Sequence, residues 1–491
     1  MGSRRPNTGQ LYVVRGHLDS VQHDAALLGL DEDCWVDPRD RFLLPDGKAE
    51  RPRSWPEGWG RVPEHPVWLV QSHDGTPDEV LLRLKRVVSA VAVARLPSSA
   101  GRTLPLLAVP VLPVPRPRPD ATRRPALPLA AHTWLSLQLE ALRDQAAEHG
   151  VDIVLLAQDA GEYAAAQWIR RTWPCDLGPE LDQHAQVLGG RAALGQAALF
   201  LGTAAGISAG LPDHTSTLRA LLAAIPSLSG VDSGAVSPAE QASLVRLHDP
   251  DGSTRRWVET VRDAGRPGLL HALVAGTGIT QVVTACPDTM LEQALEEVHD
   301  HPPAVLPWRA DVTATATVVK SRGDVEHPGD LSLTPPNVHA PAASVLRGLA
   351  TTHHLVVLGS HLDETELTDA LRRPGDPVPG QRCGTLLDLA PTGREHVSAL
   401  WGDRLARIRV SDDGSGGPHR TLLRFLDRVG VHASGPQHWL LDERFAGLLP
   451  PRDQVVATQV RAVLDLLPGD STLWAPLLHQ AERLGWMPPR P

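Results

Sequence analysis

Short apolar runs separated by amphipathic stretches recur along most of this 491-residue chain. LYVV (Leu11–Val14), AALL (Ala25–Leu28), VWLV (Val67–Val70), the run Leu104–Leu112 and VDIVLLAQD (Val151–Asp159) have the length and apolar content of buried strands. Helical spacing fills the intervals. From Pro77 the segment PDEVLLRLKRVVSAVA places Asp78 and Glu79 in its first turn, where the helix dipole favours carboxylates, and its basic residues later. Trp134–Gly150 and GEYAAAQWIRR (Gly161–Arg171) repeat the pattern. Strands that alternate with helices pair in parallel through crossovers, so the spacing predicts an α/β fold built on mostly parallel sheets.

A break at Trp173–Pro179 (WPCDLGP) interrupts the alternation. It restarts at Ala198–Gly202 and continues through Ile279–Thr284, Ala314–Lys320 and His354–Gly359, with helices such as Met290–Val298 and Glu364–Arg373 between. This organisation predicts one α/β domain over residues 1–172, a second over 180–450, and a helical tail over 451–491. Two stretches read as irregular: the Pro- and Trp-rich segment Arg51–Pro66, and Pro113–Pro125, where five prolines fall in near-alternation and exclude both helix and central strand. No internal repeat is evident.

Composition narrows the partners. A formal charge of −10 gives no electrostatic reason to expect nucleic acid or an anionic membrane as a partner. No apolar run approaches the roughly 18 residues of a membrane span, and MGSRRPNTGQ has no apolar core of a signal peptide. Cys34, Cys175, Cys286 and Cys383 are scattered without a CxxC, which argues against a disulfide framework or a structural zinc site and for a reducing, cytoplasmic setting. Of the 47 basic residues 44 are arginine, a bias that a GC-rich coding sequence produces.

The most informative segment is LFLGTAAGISAGLPD (Leu199–Asp213), a strand that ends in Gly202, turns through small residues and leads into TSTLRALLAA. Small residues at such a turn let the backbone approach a ligand, and a following helix N-terminus favours phosphate. A tight turn with nothing bound has the same appearance. Downstream come VVTACPDTMLEQAL (Val282–Leu295), VVKSRGDVEHPGDLSLT (Val318–Thr334) and HLVVLGSHLDETEL (His354–Leu367). In this order the four elements resemble the sirtuin-like family of NAD-consuming proteins, especially bacterial members found in anti-phage defence, over about Leu199 to Arg373. The resemblance implies a Rossmann-like sirtuin-type domain with a pocket for NAD. It places Gly202, Ala204, Gly206, Gly210, Pro212, Asp288 and Gly359 at cofactor-binding positions, with Leu362 and Glu366 keeping the outline of the fourth element.

The family's catalytic positions are substituted. Its second turn glycine is Ala204, its serine is Gly206, its asparagine is Cys286 and its catalytic histidine is Arg322, while Thr284, Asp288, Lys320, Gly323 and Asp324 are kept. Histidine suits proton transfer because its pKa lies near neutrality. Arginine stays protonated and cannot be that base, although its planar fork suits a phosphate or carboxylate. Cys286 is better read as a small buried filler than as a nucleophile.

The first third carries a fainter likeness. Leu11–Leu28, and Leu104–Leu112 followed by a long helix and Val151–Asp159, resemble parts of a macro-type ADP-ribose-binding domain. His17 stands where that family's adenine-binding aspartate would be. PVPRPRP replaces its glycine-rich phosphate loop with prolines that have no N–H to offer. VHDHPP (Val298–Pro303) and His353-His354 point in divergent directions and suggest no metal, and Asp363 and Glu364 read as helix-start carboxylates. The resemblances together imply a degenerate NAD-family pseudoenzyme that binds NAD or ADP-ribose without efficient turnover and acts as a sensor or assembly part in defence, with a protein partner or as a homo-oligomer. An active NAD hydrolase with non-standard residues and a purely structural subunit with a closed pocket are the alternatives.

Overall fold

Along the first strands burial is complete on both faces, so each strand needs apolar cover on two sides. The computed structural model describes every residue except 1–7, 32, 35, 48, 51–54, 117–128, 229, 334–340, 361–366, 368–369, 372–381, 390–403, 411–416, 468–472 and 488–491. The expected helix Glu364–Arg373, with Leu362, Asp363 and Glu366, falls largely outside the described residues, as does most of Pro113–Pro125.

The chain is α/β, with two sheets. The first holds β1 (Leu11–Arg15), β2 (Ala25–Leu30), β3 (Trp59–Arg61), β4 (Val67–Gln71), β5 (Leu106–Pro110) and β6 (Asp152–Ala157) in the order β1-β6-β5-β2-β4-β3. All its pairs are parallel except β3 with β4. The short β3 lies within the stretch that the sequence presents as irregular. Two helices, α1 (Pro77–Ala94) and α2 (Ala131–His149), pack on one face through residues such as Leu84, Val88, Leu139 and Leu142. Thr76 and Glu79 close a capping box at the start of α1, as a Thr-x-x-Glu spacing allows. Helix α3 (Ala160–Arg170) follows β6.

The second sheet holds β7 (Ala197–Leu201), β8 (Gln281–Thr284), β9 (Ala304–Leu306), β10 (Thr317–Lys320), β11 (His354–Leu358), β12 (Gly384–Asp388) and β13 (Leu405–Arg409), in the order β13-β12-β11-β7-β8-β10-β9. Every pair is parallel. With the edge strand β9 set aside, this is the order of a doubly wound Rossmann-type sheet, whose winding reverses between β7 and β11.

A layer of helices lies between the two sheets and serves both. It includes α4 (Pro179–Ala193), α8 (Leu269–Gly276), α9 (Met290–His299) and α11 (Pro418–Ala433). One apolar cluster runs from Val14 and Leu28 of the first sheet, through Leu273 and Phe425 of this layer, to Leu199 and Val356 of the second. On the far face of the second sheet, α10 (Pro341–Thr352) covers Phe200 and Val357 with Leu346. The chain beyond α11 returns to the outer face of the first sheet, where Trp439, Phe445, Leu478 and Trp486 are buried; it includes the helices Pro451–Leu464 and Ala475–Arg483. Among the described residues no helix is long and apolar enough to cross a membrane.

Strand β1 is an edge, and an edge leaves backbone groups unpaired. Side chains close this one. Arg170 Nη2 donates to Leu11 O (3.2 Å), Gln167 Nε2 donates to Val13 O (3.3 Å), and the Val13 amide donates to Asp427 Oδ1 (3.3 Å). Arg170 and Asp427 form a buried two-point ion pair, with Nη1 3.0 Å from Oδ1. Two turns earlier on α11, Arg420 clasps Asp152 of β6 (2.7 and 3.1 Å) and donates to Thr8 O. Removing one partner of such a pair strands a buried charge, which costs about 3–5 kcal/mol. Asp427→Ala is therefore expected to lower unfolding stability by that amount in urea melts. Arg170→Met/Asp427→Leu is expected to recover most of the loss, because an apolar pair leaves no uncompensated charge. Equal loss in the single and double variants would show that the backbone contacts, not the charges, set the cost.

Candidate functional site

In an open α/β sheet, ligands collect outside the carboxyl ends of the strands where the winding reverses. Here that place lies between β7 and β11, with β8 and β10 alongside. After Gly202 the chain makes a short 3-10 helix (Thr203–Ala209), ends it with Gly210 in the left-handed region (φ 81°), and enters α5 (His214–Ala223) through Leu211 and Pro212. Helices α5, α6 (Pro238–His248) and α7 (Pro250–Ala264) then form a cap with its own apolar cluster, including Leu221, Trp257 and Val325, the last from the loop after β10.

The turns after β7 and β11 touch. A Cβ built at Gly202 would lie 2.4 Å from Gly359 O, so only glycine fits at this close approach. Gly359 itself has φ 66°. The Ala204 amide donates to Gly359 O (3.1 Å) and the Ala205 amide to Gly202 O (3.2 Å). Both N–H groups are thus spent on closing the turn and not aimed at a ligand. Gly210 faces the first unit, where Gln22 and Ala100 lie just beyond Cβ distance.

Gly206, Pro212 and Asp288 do converge. Together with Thr203, His214 and Trp257 they line a cavity of about 30 Å³ beneath the cap. A Cβ at Gly206 would stand 3.7 Å from Asp288 Oδ2, so the absence of a side chain there keeps the cavity open. Asp288 Oδ1 accepts from the Met290 amide (3.1 Å) at the start of α9. The cap residues Trp257, Thr260 and Val261 carried no sequence signal, since nothing in a charged helix marks which face closes over a strand end.

The two substituted positions lie elsewhere. Cys286 and Arg322 are buried, and neither lines this cavity. Cys286 Sγ donates to Gly202 O (3.2 Å), and its amide donates to Thr284 Oγ1 (3.0 Å). Burial, reinforced by the Asp288 carboxylate, pushes the thiol well above its ordinary range. It is held as the neutral S–H that the hydrogen bond needs and is not a thiolate nucleophile.

Beside it sits a charge cluster that sequence motifs revealed only in part. Lys320 is fully buried; its Nζ lies 2.6 Å from Glu292 Oε1 and 3.2 Å from Asp324 Oδ2, and donates to the carbonyls of Cys286 and Asp288. Burial alone would lower its pKa, but Glu292, Asp324 and Asp288 outweigh that and hold the ammonium charged. The resemblance drawn from the sequence singles out Lys320 and Asp324; Glu292, on the helix after β8, carries no motif. Lys320 ties the ends of β8 and β10 together through backbone carbonyls, a positioning task. His271 of α8 is also buried, 3.5 Å from Ser208 Oγ, and burial pushes its pKa down, so it stays a neutral packing residue under the turn. Among the described residues no group of three His, Cys, Asp or Glu side chains is arranged to hold a metal ion.

At the carboxyl end of β1, His17 meets the other unit. Its Nδ1 lies 2.5 Å from Glu297 Oε1 of α9, and Arg39 bridges Asp19 (2.9 Å) and Glu297 (3.0 Å). Burial would raise the Glu297 carboxyl, but the hydrogen bonds from His17 and Arg39 hold it below its ordinary range. The place where a macro-type likeness would put adenine therefore joins the two units.

The cysteine geometry is open to direct measurement. Cys34, Cys175 and Cys383 are partly exposed, whereas Cys286 is buried and protonated. Alkylation with iodoacetamide at pH 8 is expected to spare Cys286 in the native protein and to reach it only after denaturation, as read by peptide mass spectrometry. Rapid native labelling of Cys286 would show an accessible thiolate. No known protein family matches the chain, and no curated protein matches it at a significant level.

Proposed function

We propose that the second unit is a nucleotide-pocket scaffold of the sirtuin-like type that has lost turnover, and that the chain works as an NAD- or ADP-ribose-responsive sensor or assembly part. The observation that carries this reading is the convergence of Gly206, Pro212 and Asp288 on one cavity at the reversal point of a Rossmann-ordered sheet, with Cys286 locked in a hydrogen bond to Gly202. The order of the four sequence elements supports the family. Arg322 supports the loss of turnover, since a guanidinium does not accept a proton at neutral pH. A bacterial defence setting and a protein partner or second copy follow from the same likeness, and the cytoplasm from the scattered cysteines.

Size decides how a ligand enters. Small-molecule sites occupy about 300–1,000 Å³, and the cavity here is about 30 Å³. A dinucleotide fits only if the α5–α7 cap moves away. Exposing one large aromatic side chain such as Trp257 costs about 2–3 kcal/mol, which weakens binding by about 30- to 150-fold. Binding is then coupled to cap displacement, which is what a sensor requires. The same small volume favours a second reading, a structural subunit whose pocket stays shut.

Calorimetric titration with NAD and with ADP-ribose, alongside chromatography for released nicotinamide, tests the proposal. Saturable binding without nicotinamide release is expected, with affinity about tenfold or more higher in Trp257→Ala, because the plug is gone. No binding by either protein would leave the structural reading. Nicotinamide release by the unaltered chain would replace both with an active NAD hydrolase.

A further inference from the structure

A second and larger cavity lies far from the cap, at the seam between the two units. It measures about 340 Å³ and opens between the start of β1, the ends of α2 and α3, and α11. Its volume falls within the range of small-molecule sites, unlike the cavity beneath the cap. Five arginines and two aspartates line it. One of those aspartates, Asp427, is saturated by Arg170.

Two of the guanidinium groups retain donors that the fold does not use. Arg428 makes one hydrogen bond among the described residues, from Nε to Asp182 Oδ1 (2.6 Å), which leaves both terminal nitrogens available. Arg143 turns Nε and Nη2 to Asp144 on its own helix and rests 4.6 Å above the ring of Trp173. Arg170 is 5% exposed; its Nε has no partner but is sealed from the cavity, so this guanidinium adds positive charge beneath the wall and no accessible donor. Planar guanidinium forks match phosphate oxygens in pairs. Trp173, Pro174 and Val431 add an apolar wall for an organic group.

We propose that this seam cavity binds a phosphate monoester of about mononucleotide size, with the terminal nitrogens of Arg143 and Arg428 contacting the phosphate. The inference is independent of the reading of the cavity beneath the cap. Because β1 belongs to one unit and α11 packs between both sheets, a ligand here clamps the seam and stabilises the whole fold.

The test uses the full chain, with AMP and inorganic phosphate as probes, by calorimetry and thermal melting at low ionic strength. AMP is expected to bind saturably, to raise the melting midpoint, and to be displaced by phosphate. Arg143→Gln and Arg428→Gln are each expected to weaken it about tenfold or more, the loss of one charge-assisted contact. Arg143 is partly exposed, so its variant threatens folding least. Gly206→Val, which fills the other cavity, is expected to leave AMP binding unchanged. Absence of saturable binding, indifference to both arginine variants, or loss of binding in Gly206→Val would overturn the proposal.

Discussion

The contact between α11 and the open edge of β1 is the constraint on which the rest of the architecture depends. A parallel edge strand exposes alternate N–H and C=O groups that must be paired, hydrated or covered. Here a carboxylate, a carboxamide and a guanidinium from α3 and α11 pair them in an interior where unpaired groups are costly. The side chains that close the edge also fix α11 in place. Arg170 and Asp427 are 257 residues apart in sequence, and Arg420 and Asp152 are 268 apart. With α11 fixed, its apolar face presents Phe425, Leu426 and Val429 to a core shared by both sheets. Neither sheet has a private interior on that side.

The same economy of polar groups governs the strand ends of the second unit. Amides that a ligand phosphate would use close the turn onto Gly359 instead, and the Lys320 ammonium binds carbonyls of the neighbouring loop. These bonds make the turn rigid and leave a cavity whose fate depends on three cap helices. The strand ends are held by hydrogen bonds and the cap by apolar packing, so a ligand larger than the cavity enters only by displacing the cap.

Much of the strand pattern was legible in the sequence. Uninterrupted runs such as VDIVLLA and AALFL are buried on both faces, and such burial demands continuous apolar residues whatever lies around them. Trp59–Arg61 was not legible: three residues of alternating exposure at an antiparallel edge carry too little signal. Nor was β13, where LARIR has arginine at two of five positions. Helix α11 shows the deeper limit. Arg420, Arg424 and Asp427 look like a solvated face, yet all three are buried; Arg420 and Asp427 find their partners, Asp152 and Arg170, in distant parts of the chain. At the candidate site, the small residues after β7 suggest room for a ligand, and at Gly202 the structure fills that room with the turn after β11. What surrounds them, a second turn at Gly202 and a small capped cavity at Gly206, depends on tertiary pairing that spacing does not encode.

The position of α11 in the chain has a consequence for synthesis. Both sheets have emerged from the ribosome before α11, the last helix of the layer between them, is made, and the segment that buries Trp439, Phe445 and Trp486 on the first sheet comes later still. The nascent first unit must therefore wait, with an unguarded edge and bare apolar surface, until Asp427, 257 residues after Arg170, has been made. A chain arranged in this way cannot complete its domains one after another. The segment from α11 onward acts as the closing step for the strands made before it, so a lesion in α11 damages the first sheet as well as the second.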